Sequence, residues 1–211
     1  MPKKNTKAPQ RLIPEGHPLD LLGRIKDLPL RSMTVLNLGA GICGSPISEQ
    51  LHFLPCRRLI HIEKFQPYMA QLKQMPFAAS EVEFHEVDIM DYITSPAMPD
   101  VDIALMIDVL EHLPRADADE VLRVLTRRVR ERILIWVPLG ECPIEPIHDN
   151  PYQVHLSTWH PDDPAFAGHQ VEKFEKFHQH LDPPADAGWV IINPRQKTPT
   201  EKILRWLRGE A

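Results

Sequence analysis

The 211-residue sequence predicts an α/β fold, a mostly parallel sheet wound on both faces by helices. Three observations carry that prediction. Short apolar runs alternate with stretches of helical spacing, at intervals of about 20–25 residues. A glycine cluster follows the first run. Two strand-like segments near the end flank a Pro/Asp/Ala/Gly loop, which makes a hairpin and so an antiparallel addition to the sheet.

The elements follow in order. Residues 1–15 read as a basic, flexible tail, and 16–211 as one domain. His17 to Leu28 has apolar residues at 18, 21, 22, 25 and 28, a helical spacing. Thr34–Leu38 (TVLNL) is a buried strand ended by glycines, and Pro46–Leu54 beyond it has helical spacing. Arg58–Glu63 is the second strand, Pro67–Met75 the next helix, Val82–Val87 the third strand and Val101–Ile107 the fourth. Asp117–Arg130 gathers Val121, Leu122, Val124, Leu125 and Val129 on one helical face. Arg132–Val137 is a fifth strand, stopped by Pro138. Val171–Phe177 and Trp189–Asn193 are the hairpin strands around DPPADAG, and Thr200–Leu207 closes the chain as a short helix.

Composition narrows the function classes. Apolar residues at 43% and charged residues at 25% are ordinary for a globular chain and exclude collagen-like, coiled-coil and wholly disordered readings. No run reaches the roughly 18 apolar residues of a membrane span. The start, MPKKNTKAPQR, has no apolar stretch after its charges and does not read as a secretory signal. Cys43, Cys56 and Cys142 are too few and too scattered for a disulfide scaffold or a paired-cysteine zinc site, so a reducing, cytoplasmic setting is expected. The net charge is −5, with four cations and no acid in the first eleven residues. The acidic remainder does not favour a phosphate backbone as main partner. Many of the 22 prolines sit between Pro138 and Pro184 and predict a loop-rich second half. Oligomeric state is not legible.

Four constellations carry chemistry. Gly39, Gly41 and Gly44 stand at G-x-G-x-x-G spacing between a strand and a helical stretch. Glycines there let the backbone turn sharply and approach a ligand, or simply make a tight turn. Glu63 ends the second strand, where a carboxylate accepts hydrogen bonds from vicinal ribose hydroxyls or is merely solvated. Asp88 and Ile89 end the third strand, placed to take an adenine amino group and pack on its ring. Asp108-Val109-Leu110-Glu111-His112 follows the fourth, at the carboxyl ends where open parallel sheets bind ligands. His112 is there either structural or catalytic.

The series VLNLGAG, IHIEKF, VDIMDY, DIALMIDVLEHLP and ILIWVPLG resembles, in order and spacing over residues 33–140, the motifs of class I S-adenosylmethionine-dependent methyltransferases. NPYQVHLSTW (150–159) is similar to a segment of small members of that family, which extends the likeness to about residue 193. The resemblance implies a Rossmann-like, doubly wound sheet of seven strands with the last antiparallel. It implies S-adenosylmethionine as cofactor, held by Asn37, Gly39, Ala40, Gly41, Glu63, Lys64, Asp88, Ile89 and Ile107. Asn37 stands where many members have an acid, and Cys43 where a third glycine is frequent.

The implied reaction moves a methyl group to an O or N acceptor. Since little chain lies outside the cofactor core, the acceptor is expected to be a small molecule or sugar, with nucleic acid not favoured and no membrane partner. The candidates for a general base are Asp108, His112 and His155. Six histidines from His148 to His180 fit no compact ligand set, so no metal is expected. A methyltransferase-like binding or scaffold module without turnover is the alternative, and an NAD-dependent oxidoreductase a more distant one. Arg123, Arg127, Arg128, Arg130 and Arg132 are either a nucleic-acid patch or a solvated face.

Overall fold

The structure, a computed structural model, describes residues 13–41, 45–144 and 149–194. The expected closing helix, Cys43, Gly44 and most of the basic tail lie outside the described residues. The strands are β1 (Thr34–Leu38), β2 (Arg58–Ile62), β3 (Glu81–His85), β4 (Val101–Ile107), β5 (Val129–Leu139), β6 (Gln170–His178) and β7 (Ala185–Ile192). The α-helices are α1 (Gln66–Leu72), α2 (Ile89–Thr94) and α3 (Arg115–Arg128).

The strands form one sheet in the order β3-β2-β1-β4-β5-β7-β6. β7 alone runs opposite to the other six, pairing antiparallel with β5 on one side and β6 on the other. This is the Rossmann-like, doubly wound sheet that the sequence predicts.

Side-chain alternation divides the apolar residues between two cores. Leu36, Leu38, Ile60, Ile62, Ala104, Met106, Ile133 and Ile135 face α2 and α3. Val35, Leu59, Ile103, Leu105, Leu134 and Trp136 face the N-terminal segment and the turn at Ser48–Phe53. Both faces are covered, so the central strands read as continuous apolar runs.

Several elements differ from the sequence reading, among them β7, which takes in residues 185–188 of the expected DPPADAG loop. His17–Leu28 is not an α-helix but a run of turns around one 3₁₀ turn, Leu22–Arg24. The Asp20 carboxylate accepts from the N–H groups of Gly16 (3.1 Å) and Gly23 (2.9 Å), offering the backbone an alternative to helix. Leu21 and Ile25 are still buried, so the apolar spacing marks packing without the predicted helix. Ser48–Phe53 is likewise 3₁₀ rather than α. β5 runs through Pro138 to Leu139. Its pairing with β4 ends at Trp136, so Pro138 has no ladder on that side to break. The short α2 escaped the periodicity argument because six residues are under two turns.

The N-terminal segment is tied to the sheet at both ends. Trp189 Nε1–H donates to the Pro18 carbonyl at 2.6 Å, and Arg132 pairs with Asp27 through two bonds of 2.8 and 3.0 Å. Arg123, Arg128 and Arg130 are paired with Glu120, Asp100 and Asp102. Those last two arginines lie at the amino ends of the parallel strands, away from the cavity described below.

Candidate active site

The carboxyl ends of β1, β2 and β4 open into a cavity of about 700 Å³, a size that holds a drug-sized ligand. Its floor is the turn after β1. Gly39 and Gly41 both have φ of +61°. A Cβ on Gly39 would lie 2.6 Å from Val109 Cγ2, so only glycine lets this turn pass under the loop that follows β4. The Ala40 N–H donates to the Ile62 carbonyl at 2.9 Å, which holds the turn against β2.

Glu63 follows β2 and is only 7% exposed. Its Oε2 accepts from the Gly41 N–H at 2.8 Å, and its Oε1 from the Phe65 N–H at 2.7 Å. Burial pushes this carboxyl up from its ordinary value, opposed by the N–H groups and by Lys64. Each oxygen keeps lone-pair capacity toward the cavity.

Asp88 caps α2, its Oδ1 accepting from the Met90 N–H at 2.7 Å. Its Oδ2 pairs with Lys64 Nζ at 2.9 Å. The same ammonium sits 3.7 Å from the ring centroid of Tyr152, which closes this end of the cavity. Asp88 therefore has a structural duty that its position in the sequence does not reveal.

The turn after β4 forms the opposite wall. Asp108 has φ of +51°, in the left-handed region that aspartate tolerates better than most residues, and its N–H donates to the Trp136 carbonyl at 3.0 Å. Burial pushes its carboxyl well up. Glu111, one turn on, is 2% exposed, and neither carboxylate oxygen has a hydrogen-bond partner. The N–H groups of Val109 and Glu111 lie near enough to favour its charge without reaching hydrogen-bonding geometry. Burial, and then the adjacent Asp108 charge, push its carboxyl far up. Asp108 and Glu111 thus compete to stay neutral.

Residues 150–159 are laid across this turn. The Glu111 carbonyl accepts from the N–H groups of Leu156 (2.7 Å) and Ser157 (3.1 Å). Ser157 Oγ donates to the Leu110 carbonyl at 3.2 Å and accepts from Trp159 Nε1–H at 2.9 Å. The fully buried Trp159 stacks on Phe166, and Arg115 lies over its ring at 4.2 Å while pairing twice with Asp163. This docking sets the His155 ring 4.9 Å from that of His112, edge to face. Burial lowers the pKa of both imidazoles, His155 to about 4.

Of the residues singled out in the sequence, Gly39, Ala40, Gly41, Glu63, Lys64, Asp88, Ile89, Ile107, Asp108 and His112 line this one cavity. His155 stands behind His112. Asn37 is not among the residues that line the cavity. It lies on the opposite parity of β1 from Leu38, 98% buried from solvent with only 2% exposure, and its amide nitrogen is 3.2 Å from His61 Nδ1. The sequence reading offers Tyr152, like His155, to orient a substrate, take a proton, pin the loop or pack, names Glu111 only as the second acid of DVLEHL, and gives no part to Val154 or Leu156, which also line the cavity.

No family model and no curated protein matches the chain in sequence. Solved structures do match in fold. The bifunctional kinase-methyltransferase WbdD superposes with a TM-score of 0.52 at 21% identity, over 78% of this chain and 35% of that one. TehB from Haemophilus influenzae gives 0.56 at 12% identity, over 82% of this chain and 61% of that one. DhpI, solved as a complex with SAH, gives 0.55 at 14% identity, over 78% of each. The chain thus spans about a third of the length of WbdD and under two thirds of TehB. At these identities the likeness is one of fold, and it is to a fold that methyltransferases use.

Proposed function

We propose that this protein is an S-adenosylmethionine-dependent methyltransferase acting on an oxygen or nitrogen of a small molecule or sugar. The observation that carries the proposal is Glu63. It is a buried carboxylate at the end of β2, held by two backbone N–H groups at the edge of a cavity floored by positive-φ glycines. That arrangement suits a nucleoside: the carboxylate for the ribose hydroxyls, Asp88 and Ile89 for the base, and bare backbone at Gly39 and Gly41 for the amino-acid end. The SAH in the DhpI structure and the methyltransferase activity of WbdD favour a sulfonium nucleoside over NAD.

The cofactor supplies a methyl group already activated on sulfur, so the protein's task is alignment. Ile107 and Asp108 lie where the acceptor must approach. Asp108, its carboxyl raised by burial, and His112, kept neutral, are placed to take a proton from it. The scaffold reading rested on Asn37 and Cys43. Asn37 lies against His61 and is not among the residues lining the cavity, which weakens that reading.

Calorimetry tests the proposal. S-adenosylmethionine and S-adenosylhomocysteine should bind, and NAD should not. Glu63→Ala should weaken S-adenosylhomocysteine at least tenfold, about 1.4 kcal/mol. Equal affinity in the two proteins overturns the ribose assignment. His155→Ala should leave cofactor affinity unchanged and lower turnover.

A further inference from the structure

The wall of the cavity opposite Glu63 holds a buried group that methyl transfer alone does not explain. Glu111 is almost wholly excluded from solvent, and neither of its carboxylate oxygens is hydrogen-bonded. A carboxyl in such a place stays ionised only if a cation faces it, and otherwise takes up a proton. Among the described residues, one group of metal-ligating side chains comes together, and it is Glu111 with His112 and His155. The three ligand atoms lie within 4.8 Å of one another.

The His112 imidazole is already oriented. His112 Nδ1 lies 3.3 Å from the Val154 carbonyl. A carbonyl only accepts, so Nδ1 carries the hydrogen and Nε2 the lone pair. The Cys142 backbone lies near enough to the His155 ring to favour its charged form, against the burial that lowers its pKa. A backbone carbonyl on one nitrogen and a metal on the other is the usual second shell of a ligating histidine.

We infer that Glu111, His112 and His155 form a binding site for one divalent first-row transition cation. Two imidazoles and one carboxylate suit zinc, cobalt, manganese or iron better than calcium. Two ligand atoms about 2.1 Å from a shared cation are at most about 4.2 Å apart, so the set closes by side-chain rotation of roughly an ångström. Three protein ligands leave coordination positions open, and His112 borders the cavity on that side. The cation therefore belongs to the same site. On the methyltransferase reading, on which this part of the inference rests, it would take the acceptor oxygen and ease transfer of its proton to the Asp108 carboxylate, His112 then serving as a ligand and not as a base. The oxygen would then form the new bond to the methyl carbon as the C–S bond breaks, its electron pair passing to sulfur.

The experiment uses the full-length protein, stripped with a chelator and dialysed. Zinc and cobalt chlorides are titrated separately by calorimetry, with the visible spectrum of the cobalt protein and the thermal midpoint recorded. The expected result is one cation per chain, cobalt ligand-field bands and a raised midpoint. Glu111→Gln and His155→Ala should each weaken binding at least tenfold. Glu111→Gln should also raise the midpoint of the metal-free protein, because it removes the bare acid, and should abolish the metal-induced rise. A merely structural glutamate would not give that reversal. His17→Gln with His52→Gln, two histidines hydrogen-bonded to Leu19 and Pro76, should leave binding unchanged. The inference is overturned if the wild type shows no saturable site, or if Glu111→Gln binds as well as wild type. S-adenosylhomocysteine is titrated in parallel. Metal binding without it would sink the methyltransferase reading alone, and the reverse would sink the metal site alone.

Discussion

Replacing Gly39 with alanine should damage the site by a route whose parts can be separated. The residue has φ of +61°, and an L side chain there costs roughly 1–2 kcal/mol. The new Cβ would also sit 2.6 Å from Val109 Cγ2 and 3.0 Å from Cγ1, with the Val109 Cβ itself at 3.4 Å. Forcing a methyl group into so tight a contact costs a further ~1–3 kcal/mol. Gly39→Ala alone should therefore lose about 2–5 kcal/mol. Val109→Ala alone removes two buried methyl groups, each worth about 0.8 kcal/mol, and so about 2 kcal/mol with the cavity left behind. In the double variant the two clashing atoms are gone while the backbone strain remains. The losses should then fall short of additivity by about 1–3 kcal/mol, far outside the ~0.5 kcal/mol expected of independent sites. The assay is urea denaturation of the four proteins at one pH, with equal slopes checked first. Additive losses would refute the steric argument and leave only the backbone strain. Because Val109 lies between Asp108 and Leu110, the single Gly39 variant should also bind S-adenosylhomocysteine more weakly than the double.

Two further outcomes follow from other parts of the molecule. His61 is fully buried among Asn37, Phe77 and Phe84, with His52 the nearest titratable group, and burial lowers its pKa from 6.5 to about 3. The unfolded chain therefore takes a proton below pH 6.5 that the folded one refuses. Its contribution is fully present above that pH and falls by up to ~1.4 kcal/mol per unit as pH drops toward 3. Urea midpoints of wild type and His61→Gln between pH 7 and 4 should converge, and parallel curves would reject the assignment. Arg115 pairs with the buried Asp163 at 2.7 and 2.8 Å while covering Trp159, so Arg115→Ala should cost about 1–3 kcal/mol. Arg115→Lys should restore little of it, because an ammonium makes neither the paired bonds nor the flat stack. A lysine variant as stable as wild type would show that charge alone matters there.

The legible part of the sequence was the part governed by repeating geometry. β4 could be bounded at Val101 and Ile107 because a strand buried on both faces is one apolar run between polar ends. Strand ends then located Glu63, Asp88 and Asp108, since a parallel sheet presents its ligand at its carboxyl edge. Asn37 marks the limit of the same proximity. It is two residues from Gly39 in the chain, yet strand parity turns its side chain into the second core against His61. The run His17–Leu28 misled because apolar spacing reports burial, and the capture of two N–H groups by Asp20 was not encoded in that spacing.

Residues 150–159 were opaque for a different reason. Their docking depends on polar atoms: the Glu111 carbonyl takes two N–H groups, and Ser157 links Leu110 to Trp159. No hydropathy period records such bonds. Yet the segment carries a period of two in reverse. Tyr152, Val154 and Leu156 are exposed, Leu156 by 57%, while Gln153, His155 and Ser157 turn inward. A segment that sends its apolar side chains outward and its polar ones inward sacrifices burial, and natural sequences break that rule chiefly at functional sites. The exposed three line the cavity, and the inward His155 joins His112 and Glu111. The inversion thus has one physical account on both faces: an apolar rim for whatever enters, and a polar underside that completes the wall around a buried, unpartnered carboxylate.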